Sequence, residues 1–406
     1  MIHAYKISIF CALMLLVVSS ASMKYTRASD QVNLTQSLQS LINQTLNPAD
    51  PKSPIHGVVL HVEAPGLDLS WTGVAGSADP EMNIALTARH PMRIASNTKT
   101  YVAAAILRLW EEGHVELDTP IIRYISDEHA LLLKQGSYDP NEITVHHLLT
   151  HRSGIFNSAG SSRYHVAVSA DFFHRWTRTE QLRFTMTNGE PYGSPGKVYR
   201  YSDTGYILLG EIIERIYAER YDLPQISLGW ALRDLLKFET LGLNDSWWEQ
   251  VEPRPEGTLL RAHQFIGQGD FYFLDASADL YGGGGLVSTM SDMARFYRAL
   301  FTGGVFNSRE TEELMLTAVN ATVGGSNADE RPEMPGTYKL GIYVEEEEGM
   351  KTYSHSGSWG TKAVYIPELD IAISLSVTQR LAREEIIWLY KNALNVVRNS
   401  LDKGGS

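Results

Sequence analysis

The sequence predicts an α+β fold: an antiparallel sheet flanked by N- and C-terminal helices, with an all-helical lobe inserted between the two halves of the sheet. Three observations predict it. A helical apolar repeat and two strand-like runs lie between Asp30 and Ala75. The stretch from Leu117 to about Leu280 consists of helical fragments broken by polar loops. After Thr352 come apolar or alternating runs and then an amphipathic helix. With 406 residues the chain can bury a core large enough for one intimate two-lobed unit.

Residues 1–22 have the layout of a secretory signal peptide. An apolar run from Ile7 to Val18 precedes the small residues Ser19, Ser20, Ala21 and Ser22. The run is shorter than the roughly 20 residues that span a bilayer. The expectation is therefore an exported protein, periplasmic or secreted, with an uncleaved N-terminal anchor as the alternative. Cys11, the only cysteine, lies in this run behind Ile9 and Phe10 rather than behind the small residue a lipoprotein signal carries. The mature chain would then hold no thiol and no disulfide.

Residues 23–50 form an N-terminal helix by the spacing of Leu34, Leu38, Leu41, Ile42 and Leu46, which the segment Asn47–Pro51 ends. Residues 51–115 are the first part of the α/β lobe. Gly57–Glu63 and Leu67–Ala75 form a hairpin around Pro65 and Gly66, and an amphipathic helix follows Ser96. Val102, Ile106 and Leu109 mark that helix and Gly113 stops it. Residues 116–280 are the helical lobe, with fragments at Glu142–Thr150, Ser169–Phe184 and Thr204–Tyr217. Residues 281–400 complete the α/β lobe. Gly282–Gly285, read as packing glycines, lead into a helix opened by a Thr289 and Asp292 capping box. Glu345–Gly349 is a solvated turn, Thr352–Tyr353, Ala363–Pro367 and Ile371–Val377 are adjacent strands, and Glu384–Val397 is the closing helix.

The charge balance narrows the function classes. A formal charge of −12 and a pI near 5.6 argue against a nucleic-acid groove or an anionic membrane surface as partner. The partner expected is a small-molecule or peptide substrate. Four glycosylation sequons, at Asn33, Asn43, Asn244 and Asn320, matter only in a eukaryotic source.

Candidate chemistry sits in three places. Ser96 and Lys99 form an S-x-x-K pair one helical turn apart, which brings a nucleophile, an amine and the positive end of a helix together. The same pattern recurs at Ser194–Lys197, across a Pro-Gly turn, and at Ser400–Lys403, in a polar tail; only the first opens an apolar helix. A helix-capping serine is the plainer alternative for Ser96. Tyr201, between Tyr199 and Asp203, is a loop tyrosine that could take the serine proton as a phenolate, or a packed loop aromatic. His355, Ser356, Gly357 and Ser358 begin a strand, where Gly357 would let substrate backbone approach and the Ser358 N–H could serve an oxyanion hole. His147 and His151 have the i, i+4 spacing of zinc ligands, but no third ligand accompanies them, so no metal and no cofactor is expected. No G-x-S-x-G elbow and no phosphate-binding glycine fingerprint occurs.

Taken in order, S-x-x-K, Y-x-D and H-S-G resemble the serine β-lactamase and penicillin-recognising D,D-peptidase superfamily. The branch is the class C-like one with D-alanyl-D-alanine carboxypeptidases and family VIII esterases. Leu117–Pro120, Ile143–Ile155, Gly196–Ile213 and Gly284–Thr289 also look like this family, and the resemblance spans about residues 55–395. It implies a β-lactamase/transpeptidase-like fold and an acyl-enzyme on Ser96, with Lys99 and Tyr201 sharing general-base and general-acid work. It implies an oxyanion hole from the N–H groups of Ser96 and Ser358, and substrate contacts from Asp203, His355, Ser356 and Gly357. The family needs no metal. Two departures bear on the substrate. Asp203 stands where relatives that take peptides or β-lactams commonly carry Asn, and an ionised Asp cannot donate to a carbonyl. His355 replaces a Lys and leaves only a partial positive charge near neutral pH. The expected activity is cleavage of a D-alanyl peptide, β-lactam or ester bond. A carboxylesterase and a non-catalytic cell-wall peptide binder are the alternatives.

Overall fold

The computed structural model describes residues 30–46, 52–317, 322–323 and 337–404. The expected signal peptide, Cys11, Asn320 and the Asn47–Pro51 stop lie outside them. Seven strands form one antiparallel sheet: β1 Gly57–Ala64, β2 Leu69–Asp79, β3 Ile84–Ala85, β11 Tyr343–Glu347, β12 Met350–Gly357, β13 Thr361–Ile366 and β14 Ile371–Val377, in the spatial order β11-β12-β13-β14-β1-β2-β3. The two chain segments meet at β1 and β14, where Val58 lies opposite Val377, Leu60 opposite Leu375 and Val62 opposite Ile373. These pairs point to one face of the sheet.

On that face lie helix α1, residues 30–46, and helix α12, Arg383–Gly404. Leu34, Leu38 and Ile42 from α1 and Leu389, Ala393 and Val397 from α12 share one apolar cluster with Val58, Leu60 and Val62. Helix α10, Met290–Leu300, covers the opposite face beside Val59, Ala363 and Ala372. Thr289 caps α10 by accepting the Asp292 N–H at 3.2 Å. The expected capping box is only half made, because the Asp292 carboxylate instead accepts from the Asp245 N–H and the Ser246 hydroxyl.

The helical lobe comprises α3 Asp127–Gln135, α4 Val145–Leu149, α5 Ser162–Ala170, α6 Arg178–Asn188, α7 Asp203–Arg220, α8 Leu228–Leu235 and α9 Phe238–Leu241. The range expected to be helical throughout also contains short strands. Within it, β6 Trp247–Trp248 pairs with β9 Leu286–Ser288, which also pairs with β4 Met92–Arg93; β7 Phe265–Ile266 pairs with β8 Gly269–Asp270. The chain returns there to the sheet, where Phe265 N–H reaches Thr378 O at 2.8 Å and satisfies the carbonyl just past the end of β14. Ser169–Phe184 is likewise not one helix, since residues 171–177 separate α5 from α6 and Thr177 caps the second with Glu180.

Helix α2, Thr98–Glu111, lies between the two lobes. Twelve of its fourteen residues are buried, so the expected amphipathic helix is covered on all sides. The H-S-G segment also differs from expectation: His355 to Gly357 end β12 rather than begin a strand.

Candidate active site

The site forms where the start of α2, the start of α7 and the end of β12 converge. Ser96 lies in a single 3-10 turn, Ala95–Asn97, just before α2. It is not the helix cap. Asn97 holds that position and makes no side-chain capping bond. Its amide instead ties the turn to the sheet, donating to Ile94 O at 3.1 Å and to Thr361 Oγ1 at 2.9 Å. Ala95 is left-handed, with φ 46°, an unfavourable conformation for a residue with a Cβ. The outcome is selective exposure: among Pro91 to Thr100 every residue but Ser96 is buried.

Lys99 is fully buried, and its side chain returns to the serine as the i, i+3 spacing predicts. Nζ donates to Ser96 Oγ at 3.0 Å, to the carbonyl of Gly283 at 2.6 Å and to the Asp203 carboxylate. Three acceptors match the three donors of an ammonium. Asp203 is the first residue of α7, where a carboxylate meets the helix dipole favourably, and its own N–H donates to Asn157 Oδ1 at 3.2 Å. Its Oδ1 is engaged by Lys99. Gly283 admits this approach, since a Cβ there would sit 3.0 Å from Asp203 Oδ1.

Tyr201 is hydrogen-bonded to Ser96 through its phenol, and the Lys99 amine lies 5.0 Å from its ring centroid. The phenolate expectation is overturned. Burial, then the Asp203 charge, push the phenol well above its ordinary range, so Tyr201 rests as a proton-bearing hydroxyl.

His355 does not face substrate as a charged group. It is 2 % exposed, and burial followed by the nearby Lys99 ammonium lower its pKa to about 3. The partial charge expected at neutral pH is absent because a buried imidazolium beside an ammonium is doubly disfavoured. Its Nδ1 lies 2.9 Å from Ser356 O, which places the ring hydrogen on Nδ1. The ring packs at the edges of Tyr343 and Tyr338, with centroids 5.4 Å and 5.9 Å away. Ser356 and Ser358 are exposed. Gly357 backs directly onto the nucleophile turn, where any Cβ would collide with Ile94 O and Thr361 Oγ1. This close approach sets the end of β12 against the Ala95–Asn97 turn that carries Ser96.

The structure thus gathers Ser96, Lys99, Tyr201 and Asp203 into one hydrogen-bonded group and sets the end of β12 against it. Sequence reasoning missed three members. The Gly283 carbonyl lay hidden in a glycine run read as packing. Asp279 borders the recess shared by Asp203, Tyr164 and Gly283, and burial followed by the Asp203 charge push its carboxyl up to about 7. His151 packs on Tyr201 at 4.1 Å between ring centroids. His147 and His151 do not form a pair: His147 Nδ1 accepts from Thr144 N–H, while His151 Nδ1 accepts from Ser202 N–H. Among the described residues no three His, Cys, Asp or Glu side chains are grouped to hold a metal ion.

The β-lactamase family profile matches residues 49–391. The chain belongs to that family. It is a serine hydrolase of the β-lactamase and penicillin-binding-protein superfamily, with the α+β fold of that group. It is 26% identical over 391 residues to esterase EstB of Burkholderia gladioli, covering 89% of this chain and 93% of the esterase. Among solved structures it is similar to D-amino acid amidase from Ochrobactrum anthropi SV3, with a TM-score of 0.71, 23% identity, and coverage of 91% of this chain and 99% of the amidase. It is also similar to the octameric penicillin-binding protein homologue from Pyrococcus abyssi, with a TM-score of 0.65, 25% identity, and coverage of 85% and 73%.

Proposed function

We propose that the chain is an exported carboxylesterase that cleaves small esters lacking a carboxylate, through an acyl-enzyme on Ser96. One observation carries this choice among the family's substrates. His355, where a lysine is common in relatives, is buried and neutral, so it offers no charge to a substrate carboxylate. Asp203 adds to it by presenting a Lys99-bound carboxylate in place of a donor amide. The full-length similarity to an esterase points the same way.

The proton path follows from the donors. Lys99 donates to Ser96 Oγ, which leaves the seryl hydrogen to Tyr201. As Oγ bonds to the ester carbonyl carbon, Tyr201 accepts that hydrogen and passes its own to the leaving alkoxide. The alcohol departs and Ser96 carries the acyl group. A phenol with a raised pKa suits this neutral relay, because no phenolate accumulates. The Lys99 ammonium stabilises negative charge developing on Oγ, and the N–H groups of Ser96 and Ser358 receive the carbonyl oxyanion. Water then attacks the acyl carbon, its proton returns through Tyr201 to Ser96 Oγ, and the carboxylic acid is released.

A second reading is favoured by Asp279. Burial, then repulsion between Asp203 and Asp279, keep the Asp279 carboxyl raised despite Lys99, Arg93 and Arg380 nearby. The ammonium of an amino-acid ester or amide would relieve that repulsion.

The test is intact-protein mass spectrometry and product release with p-nitrophenyl butyrate, alanine p-nitroanilide, nitrocefin and a D-alanyl-D-alanine peptide in parallel. Rapid ester turnover without a β-lactam adduct is expected, and the Ser96→Ala protein should be inert. A stable β-lactam adduct with release of D-alanine would refute the esterase reading, and activity in Ser96→Ala would refute the nucleophile. Faster turnover of the alanine substrate would establish the second reading. N-terminal sequencing of protein recovered from outside the cytoplasm tests export.

A further inference from the structure

His151 spans Tyr201 on both sides. Its backbone carbonyl accepts the N–H of Arg200 at 2.9 Å, and its ring Nδ1 accepts the N–H of Ser202 at 3.2 Å. The residue between those two N–H groups is Tyr201. The imidazole lies against the Tyr201 ring, with centroids 4.1 Å apart and planes inclined by 37°. Tyr338 and Tyr206 pack around the same imidazole at 4.5 Å and 5.0 Å. Tyr206 is itself fixed by donating its hydroxyl to Leu149 O at 2.9 Å.

Two features of His151 are unfavourable by themselves. Its φ is 54°, in the left-handed region that a residue with a Cβ avoids. Its Nε2 is buried with no hydrogen-bond partner among the described residues. Because Nδ1 accepts from a backbone N–H, the ring hydrogen lies on Nε2, so the unmet group is a donor. Burial, the Lys99 ammonium and His355 all lower its pKa well below the usual histidine range. A neutral ring is also what the Ser202 contact requires, since an imidazolium would set N–H against N–H. Strain and an unmet donor at one residue beside a catalytic site point to a functional constraint.

We infer that His151 is a positioning residue: through the flanking N–H groups and its ring face it holds the Tyr201 phenol within reach of Ser96. The role rests on the Ser96 hydrolase reading and adds to it a residue that touches neither substrate nor nucleophile. A displaced Tyr201 would leave Ser96 and the end of β12 in place, so the loss falls on kcat rather than KM.

The experiment compares His151→Asn and His151→Phe with wild type, alone and in a Tyr201→Phe background, using p-nitrophenyl butyrate and thermal unfolding. Asn keeps an acceptor near Nδ1 and tolerates positive φ; Phe keeps a ring but removes the acceptor. His151→Phe should lower kcat by about 10- to 100-fold with KM changed by no more than about twofold, and His151→Asn should recover most of the loss. In the Tyr201→Phe background, His151→Phe should add little further loss, because both act through the phenol. Fully additive losses, a change confined to KM, or no recovery by Asn would overturn the role. Should His151→Phe not fold, His151→Gly, which suits that φ, is assayed with and without added imidazole. Rescue of kcat supports positioning and its absence overturns it. Activity in Ser96→Ala defeats the hydrolase reading itself; an inert Ser96→Ala protein with an additive cycle defeats only the role of His151.

Discussion

The two faces of the main sheet are both buried, yet they are built differently. Toward α1 and α12 the contacts are mainly aliphatic, with Val58, Leu60 and Val62 against Leu38, Ile42 and Leu389, and Tyr390 and Trp71 as the aromatic members. Toward α10 and α2 the apolar cluster is interrupted by paired polar groups: Asn97 with Thr361, Thr100 with Tyr297, Lys99 with Asp203. Area alone stabilises the first face, so similar apolar residues can replace one another there. On the second face orientation matters, because removing one partner leaves a buried polar group unmet. Both faces contribute apolar burial, and the chemistry is confined to one of them.

The sharpest way to break this contrast is Tyr201→Phe. Loss of the relay hydroxyl should reduce kcat/KM for an ester by about 10²- to 10⁴-fold while the thermal midpoint barely moves, measured by initial rates and scanning fluorimetry. Comparable activity in the variant would refute the relay. The converse change is Leu38→Ala on the aliphatic face, where the side chain is fully buried. It should remove about 2–5 kcal/mol of stability by denaturant titration yet leave the kcat of the folded protein near wild type. A fall in kcat equal to that of Tyr201→Phe would show that the faces are not independent.

The smallest effect concerns Asp279. Its carboxyl is pushed up to about 7, so the folded state binds this proton more tightly than the unfolded chain does. The stabilisation is complete below the unfolded value near pH 4 and is lost as pH rises through about 7. Asp203, Lys99, Arg93 and Arg380 are the charges that act on it. Asp279→Asn should flatten the decline of the thermal midpoint between about pH 4 and 7 and raise the midpoint at pH 8. Identical slopes in both proteins would show that Asp279 does not titrate there.

Much of the site was legible because its spacing is local. Ser96 and Lys99 are one helical turn apart, and their 3.0 Å hydrogen bond follows from helix geometry once the apolar run after them is recognised. Tyr201 and Asp203 were legible through the order of motifs, since nothing near them in sequence reveals a serine more than a hundred residues earlier. His151 was visible only as a possible metal ligand, because i, i+4 spacing says nothing about which way each ring turns. The charge state of His355 was misjudged for a related reason: a histidine titrates by its surroundings, and Tyr338, Tyr343 and Lys99 reach it from distant segments.

Periodicity and turn residues by themselves determined the α+β class, the terminal helices with the β1–β2 hairpin, and the S-x-x-K pair, because each depends on neighbours within a few turns of chain. Tertiary structure alone decided that α2 is enclosed on every side, that the Gly283 carbonyl and Asp203 take the Lys99 amine, that Tyr201 rests protonated and that His355 is uncharged. Those properties come from desolvation and from charges brought together across the lobes, and desolvation exists only once the core has closed.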